Sequence, residues 1–372
     1  MAGSISRVTL PSEFFDRTSE LVLRQPTDEF LYAKLLFGAC ARAELSRVGA
    51  EAFPGYAPSG AAYPALADMQ AALADPIRSA AITVTDELQP GKIGHTLRMN
   101  RPIFSGGGYT LAARQFQGNL SLNPINVSDE GVSITIGKFA GPYSAAGSEV
   151  QPYAISRHDA LHSVHSLVDK VGAHLAYDRN KFVDSVFALY FDSGVTPIFP
   201  GDSSGLLTTD AGAWPVVPVG SSRPMDLETI LRMEEELQEA KIPRFDNGRY
   251  MCFLTPKQWR QLLSDRAYQS QSQFLQEKNL LSPGGVGALV VNGSIELYKC
   301  NTNVIDTTTV AGVSINHGVM FGPGAVGYAD AGGCRVAPAS ENNYGEDQKV
   351  VWIAYEGSAV LDNRFTVSAH SD

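Results

Sequence analysis

The sharpest catalytic pattern in this chain is His158-Asp159-Ala160-Leu161-His162, followed by His165. On a helix these spacings bring three imidazoles to one face, which is what ligation of a zinc ion requires. The run is one residue away from HExxH, in which two histidines hold zinc and a glutamate acts as general base. Here Asp159 stands in the position of the base. Its side chain is one methylene shorter, so a carboxylate placed for glutamate would fall short of the metal-bound water. The histidines also flank the apolar stripe of their segment rather than enter it, so a polar flank facing solvent or another subunit accounts for them without a metal. That plainer reading is preferred. A cytosolic metal-dependent hydrolase using His158, His162 and His165 is the alternative.

The other chemistry-bearing residues read the same way. Gly106-Gly107-Gly108 has the composition of a phosphate cradle, but no Gly-Lys-Ser/Thr follows and no strand–loop–helix context surrounds it. Gly201-Asp202-Ser203-Ser204-Gly205 places no serine centrally between glycines as a nucleophile elbow would, and it lies in a proline-rich stretch. Cys40 falls on an apolar helix face, where a thiol packs and stays inert. Glu234-Glu235-Glu236 with Glu239 could supply paired carboxylates, but consecutive glutamates point in different directions around a helix, so a solvated face is expected. No catalytic residue, no cofactor-binding residue and no metal ligand is therefore assigned.

Composition narrows the class. The chain has 372 residues, beyond the usual size of one core, so two or three subdomains are expected. With 44% hydrophobic and 18% charged residues it is globular and not disordered. A formal charge of -10 argues against a dedicated nucleic-acid-binding module, which would show a basic face. The four cysteines, Cys40, Cys252, Cys300 and Cys334, lie far apart with no CxxC, which fits reduced thiols in a cytosolic setting. The N-terminus lacks a signal-peptide pattern and there is no apolar run of ~20 residues, so a soluble protein without a membrane partner is expected.

The elements that would carry these residues follow from periodicity and punctuation. Residues 27–48 suit a helix, with Phe30, Leu31, Leu35, Leu36 and Ala39 on one face. Residues 81–154 change character: Ile82-Thr83-Val84-Thr85, His95 to Asn100 and Val132-Ser133-Ile134-Thr135-Ile136 carry strand signals with few large apolar clusters. Such a segment is poorly equipped to bury itself and reads as an arm that needs a partner surface. From Ser156, a good N-cap, a helix is expected to run to about Phe191. About 35 residues at ~1.5 Å each would span roughly 50 Å, with Gly172 as a weak point. Residues 192–224 are loop.

Residues 226–303 carry the strongest local signals. Asp226 caps a helix with Leu227, Ile230, Leu231 and Leu237 on its apolar face and Pro243 as its stop. A buried strand follows at 249–254. Thr255-Pro256-Lys257-Gln258 is a capping-box pattern, and Trp259, Leu262 and Leu263 supply that helix's buried side. Asn292-Gly293 between two apolar runs signals a two-residue hairpin. Near the C-terminus, residues 350–355 and 357–367 read as two strands.

This order of elements resembles the major capsid proteins of tailed bacteriophages, which have the Hong Kong 97-type fold. The resemblance is carried by Ile242-Pro243-Arg244-Phe245-Asp246-Asn247-Gly248-Arg249-Tyr250 with Phe253-Leu254-Thr255-Pro256. Residues 280–291, Tyr355-Glu356-Gly357 and Val360-Leu361-Asp362-Asn363-Arg364 add to it. It implies an α+β chain with an N-terminal arm (1–75), an extended loop with flanking strands (76–155), a spine helix of the peripheral domain (156–200), an axial domain (201–335) and C-terminal peripheral-domain strands (336–372). It implies no enzyme and no cofactor. It implies hexamers and pentamers of this chain in an icosahedral shell around double-stranded DNA bound without sequence reading. Scaffolding, portal and decoration proteins would be further partners. The protein would be made in the host cytoplasm and reside in the virion capsid. A cellular nanocompartment shell of the same fold is a second alternative. Nothing at the N-terminus reads as a cleavable scaffold segment, so proteolytic maturation is not expected. Lys92, Arg98, Arg101 and Arg114 give the arm local positive charge, and pairing with Glu235 and Glu239 of a neighbouring subunit would use it.

Overall fold

In the computed structural model of the protein, the described residues are 30–36, 39–40, 82–85, 96–104, 127–142, 153–156, 167–193, 197–200, 224–269, 289–291, 293–306, 314–338 and 347–371. The strands in chain order are β1 (Ile82–Thr85), β2 (Thr96–Phe104), β3 (Val127–Thr135), β4 (Gly137–Gly141), β5 (Tyr153–Ser156), β6 (Tyr250–Leu254), β7 (Leu289–Val291), β8 (Ile295–Lys299), β9 (Ile305–Asp306), β10 (Ile315–Phe321), β11 (Val326–Pro338), β12 (Asp347–Val360) and β13 (Thr366–Ser371). The helices are α1 (Leu167–Phe191), α2 (Leu227–Glu239) and α3 (Pro256–Ser264). A five-stranded sheet runs β1-β11-β12-β4, with β5 also on β12. A six-stranded sheet runs β13-β10-β6-β8-β7, with β9 on β10. β2 and β3 form a separate two-stranded sheet.

The run Tyr250-Met251-Cys252-Phe253-Leu254 is buried throughout because β6 is covered on both faces. Successive strand residues point to opposite sides, so Met251 and Phe253 enter one core, while Tyr250, Cys252 and Leu254 enter another. The first core holds the far half of α1, through Val183, Phe187 and Phe191, and Leu31 and Leu35 of the N-terminal helical residues. The second holds Ile230, Met233 and Leu237 of α2 and Leu262 of α3. The near half of α1 packs elsewhere: Leu175 meets Val336, Val350 and Trp352 of the five-stranded sheet. One helix thus braces two sheets.

Two polar clamps fix that helix. Arg179 pairs with Glu356 of β12, whose Oε2 also accepts from the Tyr328 hydroxyl at 2.7 Å. Trp352 donates its indole N–H to Asp178 Oδ2 at 2.7 Å. Gly141 of β4 lies against this pair, and a Cβ there would come within 2.5 Å of Trp352 Nε1. Gly357 has a comparable role, since its Cβ would lie 2.5 Å from the Thr135 carbonyl oxygen. Glycine lets the end of β3 cross close over β12.

Several local expectations are met. Asp226 Oδ1 accepts from the Thr229 N–H at 2.8 Å. Thr255 and Gln258 make the reciprocal capping box. Gln258 does more: its Nε2 donates to the carbonyls of Asn316 (2.8 Å) and Ala369 (3.2 Å), tying α3 to β10 and β13.

Other expectations are corrected. α2 stops before Pro243. Lys241 adopts φ +58°, Ile242 N–H returns to Leu237 C=O, and Lys241 N–H returns to Gln238 C=O. This is a Schellman cap without its usual glycine, which is why the sequence did not signal it. Leu263 is exposed, leaving Leu262 as the buried anchor of α3. Val291 pairs with Ile295, so the hairpin loop has three residues rather than two, with Gly293 at φ +71°. Asn292 lies outside the described residues. Gly357 belongs to the long β12 instead of starting a new strand, and the chain leaves the five-stranded sheet so that β13 can join β10. β11 runs across residues 335 and 336, and β13 lies in the six-stranded sheet. Residues 30–36, placed in the N-terminal arm by the resemblance, pack in the first core. Tyr32 donates to Asn303 Oδ1 at 2.7 Å, and Ala33 N–H donates to Asp184 Oδ1 at 3.0 Å, deep in the first core. Ser156 ends β5, and residues 157–166, where the long helix was expected to begin, lie outside the described residues. The helix passes through Gly172 without a break.

Candidate functional site

The candidate site is read first from the surfaces that the fold presents. The first is the β2–β3 hairpin. Nine register pairs, from Thr96–Thr135 at its base to Phe104–Val127 at its far end, give a ribbon of roughly 30 Å at ~3.4 Å per residue. Its base is anchored where Ile134 packs on Ala329, with Ile136 and Ala359 alongside. Among the described residues, the outer edges of both strands have no strand partner. Such edges are templates for pairing with another chain.

Arg98 and Arg101 lie on this ribbon, opposite Ser133 and Glu130 in register. Lys92 and Arg114 lie outside the described residues. Glu235 and Glu239 are exposed on α2, which packs in the second core rather than in the ribbon. Partial burial, then the charges of Glu239 and Glu235, push the neighbouring Glu236 carboxyl above its ordinary range. Glu234 departs from the expected solvated face: it is buried, and its Oε1 accepts from Gln238 Nε2 at 2.8 Å and Arg244 Nη2 at 3.0 Å.

The sequence-level catalytic candidates His158, His162 and His165 lie outside the described residues, as do Gly106-Gly107-Gly108 and Gly201-Asp202-Ser203-Ser204-Gly205. Cys252 and Cys300 are buried, and burial pushes both thiols far up. Cys334 is pushed up to about 11, chiefly by burial. Among the described residues no helix is long and apolar enough to cross a membrane.

One polar cluster was invisible to pattern reading: Asp192, His317 and His370. Asp192 follows the last turn of α1, and His317 and His370 are cross-strand partners in β10 and β13. His317 Nδ1 lies 2.7 Å from Asp192 Oδ2. The residues are too distant in sequence to form a motif, and only the β10–β13 register could have revealed them.

No protein-family model matches the chain, and no curated protein matches it. Solved structures do. The chain is similar to the capsid of Ralstonia phage GP4 at 16% identity and TM-score 0.56, over 78% of this chain and 87% of that one. It is similar to the cyanophage Pam1 capsid asymmetric unit at 12% identity and TM-score 0.54, over 78% of this chain and 88% of that one. The fold is therefore α+β and that of the tailed-phage capsid proteins, the Hong Kong 97-type fold.

Proposed function

We propose that the protein is the major shell subunit of a tailed-phage head, structural rather than enzymatic, and that copies assemble as hexamers and pentamers into an icosahedral shell around double-stranded DNA. The observation that carries this reading is a capsid fold with a hairpin whose outer edges have no strand partner among the described residues. In the proposed division, the five-stranded sheet and α1 form the peripheral domain. The six-stranded sheet with α2 and α3 forms the axial domain. The β2–β3 hairpin is the extended loop. The acidic chain contacts DNA weakly and without sequence reading, which suits a container that must fill and empty. Scaffolding, portal and decoration proteins are proposed partners. The virion capsid is the proposed residence, after synthesis in the host cytoplasm.

Lys92, Arg98, Arg101 and Arg114 of one copy are proposed to pair with Glu235 and Glu239 of a neighbouring copy. Opposite charges across an interface steer encounter and fix register. Electron microscopy of the purified chain tests the shell reading: closed shells, tubes or large rings are expected. A strictly monomeric species at high concentration, with and without a co-expressed scaffold, would overturn it. Arg98→Glu with Arg101→Glu should block assembly, and the further changes Glu235→Lys and Glu239→Lys should restore it. Unimpaired assembly of the first variant removes the charge pairing while leaving the shell reading intact.

A further inference from the structure

The Asp192-His317-His370 cluster joins three elements. Odd residues of β10, such as Val319 and Phe321, face the core that contains α1. His317 shares their parity, and His370 stands directly across from it on β13. The end of α1 delivers Asp192 to the same place. His370 Nε2 lies 3.8 Å from Asp192 Oδ1, and one donor atom from each of the three residues falls within 4.8 Å of the others. His317 is 8% exposed, so the group is largely shielded from water.

Asp192 Oδ1 is buried and accepts no hydrogen bond, although Oδ2 does. A buried oxygen left this way is costly to the fold. The cluster thus holds a buried carboxylate oxygen with no hydrogen bond in place, 3.8 Å from His370 Nε2 and beside two imidazoles.

We propose that Asp192, His317 and His370 form a binding site for a divalent transition-metal ion of the zinc class. Two imidazoles and a carboxylate are a three-ligand set that suits zinc and its neighbours, while calcium and magnesium prefer oxygen ligands alone. The fourth position goes to water or to the Ser368 hydroxyl, whose Oγ lies 3.3 Å from His370 Nε2. The two rings are stacked, with centroids 3.7 Å apart and planes at 15°. An ion in the plane of one ring therefore lies beside the plane of the other. On binding, one ring turns about χ2, and the His317–Asp192 hydrogen bond gives way to bonds from both residues to the ion. The ion would tie the end of α1 to β10 and β13, and binding to the folded state alone stabilises it. This site does not depend on the proposed shell role.

The test is titration of the full, chelator-treated chain with Co(II), followed by displacement with Zn(II). Saturation at one Co(II) per chain is expected, with visible d–d absorption, reversal by Zn(II), and a rise in melting temperature with either ion. His317→Gln and His370→Gln should each weaken binding by at least the roughly 10–100-fold seen when a metal site's supporting residues are lost. A His158→Gln, His162→Gln, His165→Gln triple variant should bind as the parent does. Should the cluster variants fail to fold, X-ray absorption of the Co(II)-loaded parent decides, with two imidazole ligands expected. No saturable binding by the parent, fewer than two imidazoles, unchanged affinity in folded cluster variants, or loss of binding in the triple variant each overturns the proposal.

Discussion

The six-stranded sheet and the β2–β3 hairpin began with similar strand signals and ended in opposite situations. Every residue of β6 is buried, and its alternate residues fill two separate cores, each roofed by helices. The hairpin has nine paired positions, yet the cluster at its base draws on Ile134 and Ile136 from its own end of the chain. An isolated two-stranded ribbon is marginal in water, because hydrogen bonds between strands return little once the water they replace is counted. The sheet is therefore stabilised within one chain, whereas in the proposed shell the hairpin gains its stability between chains.

This contrast can be broken from the core side first. Glu356→Ala leaves the buried Arg179 guanidinium with the Trp352 ring face, 5.4 Å away, in place of its carboxylate. Removing one partner of a buried pair costs about 3–5 kcal/mol, readable as a fall in the urea midpoint of unassembled subunits. Gln258→Ala should cost less, about 1–3 kcal/mol, since the Asn316 and Ala369 carbonyls lose a donor inside the six-stranded sheet.

The buried thiols give a pH signature. Burial raises Cys252 and Cys300 in the folded state above their unfolded value. Their contribution is thus fully present below the unfolded thiol pKa of about 8.5 and is lost as pH rises above it. One unit above that value, each thiol should cost about 1.4 kcal/mol. Urea titrations of wild type and a Cys252→Ala, Cys300→Ala variant across that range check it; parallel pH profiles would contradict it. The smallest effect belongs to the exposed Glu228–Arg232 pair, where Arg232→Ala should cost only about 0.3–0.5 kcal/mol.

What could be read beforehand was what local physics dictates. The Asp226 cap, the Thr255–Gln258 capping box and the apolar run of β6 each lie within a few residues of their cause. The fold class was legible because these signals fall in a recognisable order. The Lys241 cap was not legible, since the left-handed residue there is not glycine. The buried place of Tyr32 was hidden because its partners, Asn303 and Phe191, are distant in sequence. The Asp192 cluster was hidden for the same reason: a cross-strand register and a helix end assemble it. The six interface charges stay proposals, because their partners would lie on another copy of the chain.

Amide hydrogen exchange of the same chain, assembled and dissociated, tests the central contrast most directly. Amides of β6 and β10 should be strongly protected in both states, whereas those of β2 and β3 beyond the Ile134 anchor should gain protection only on assembly. Equal protection of the hairpin in the dissociated subunit, or no gain on assembly, would contradict the account.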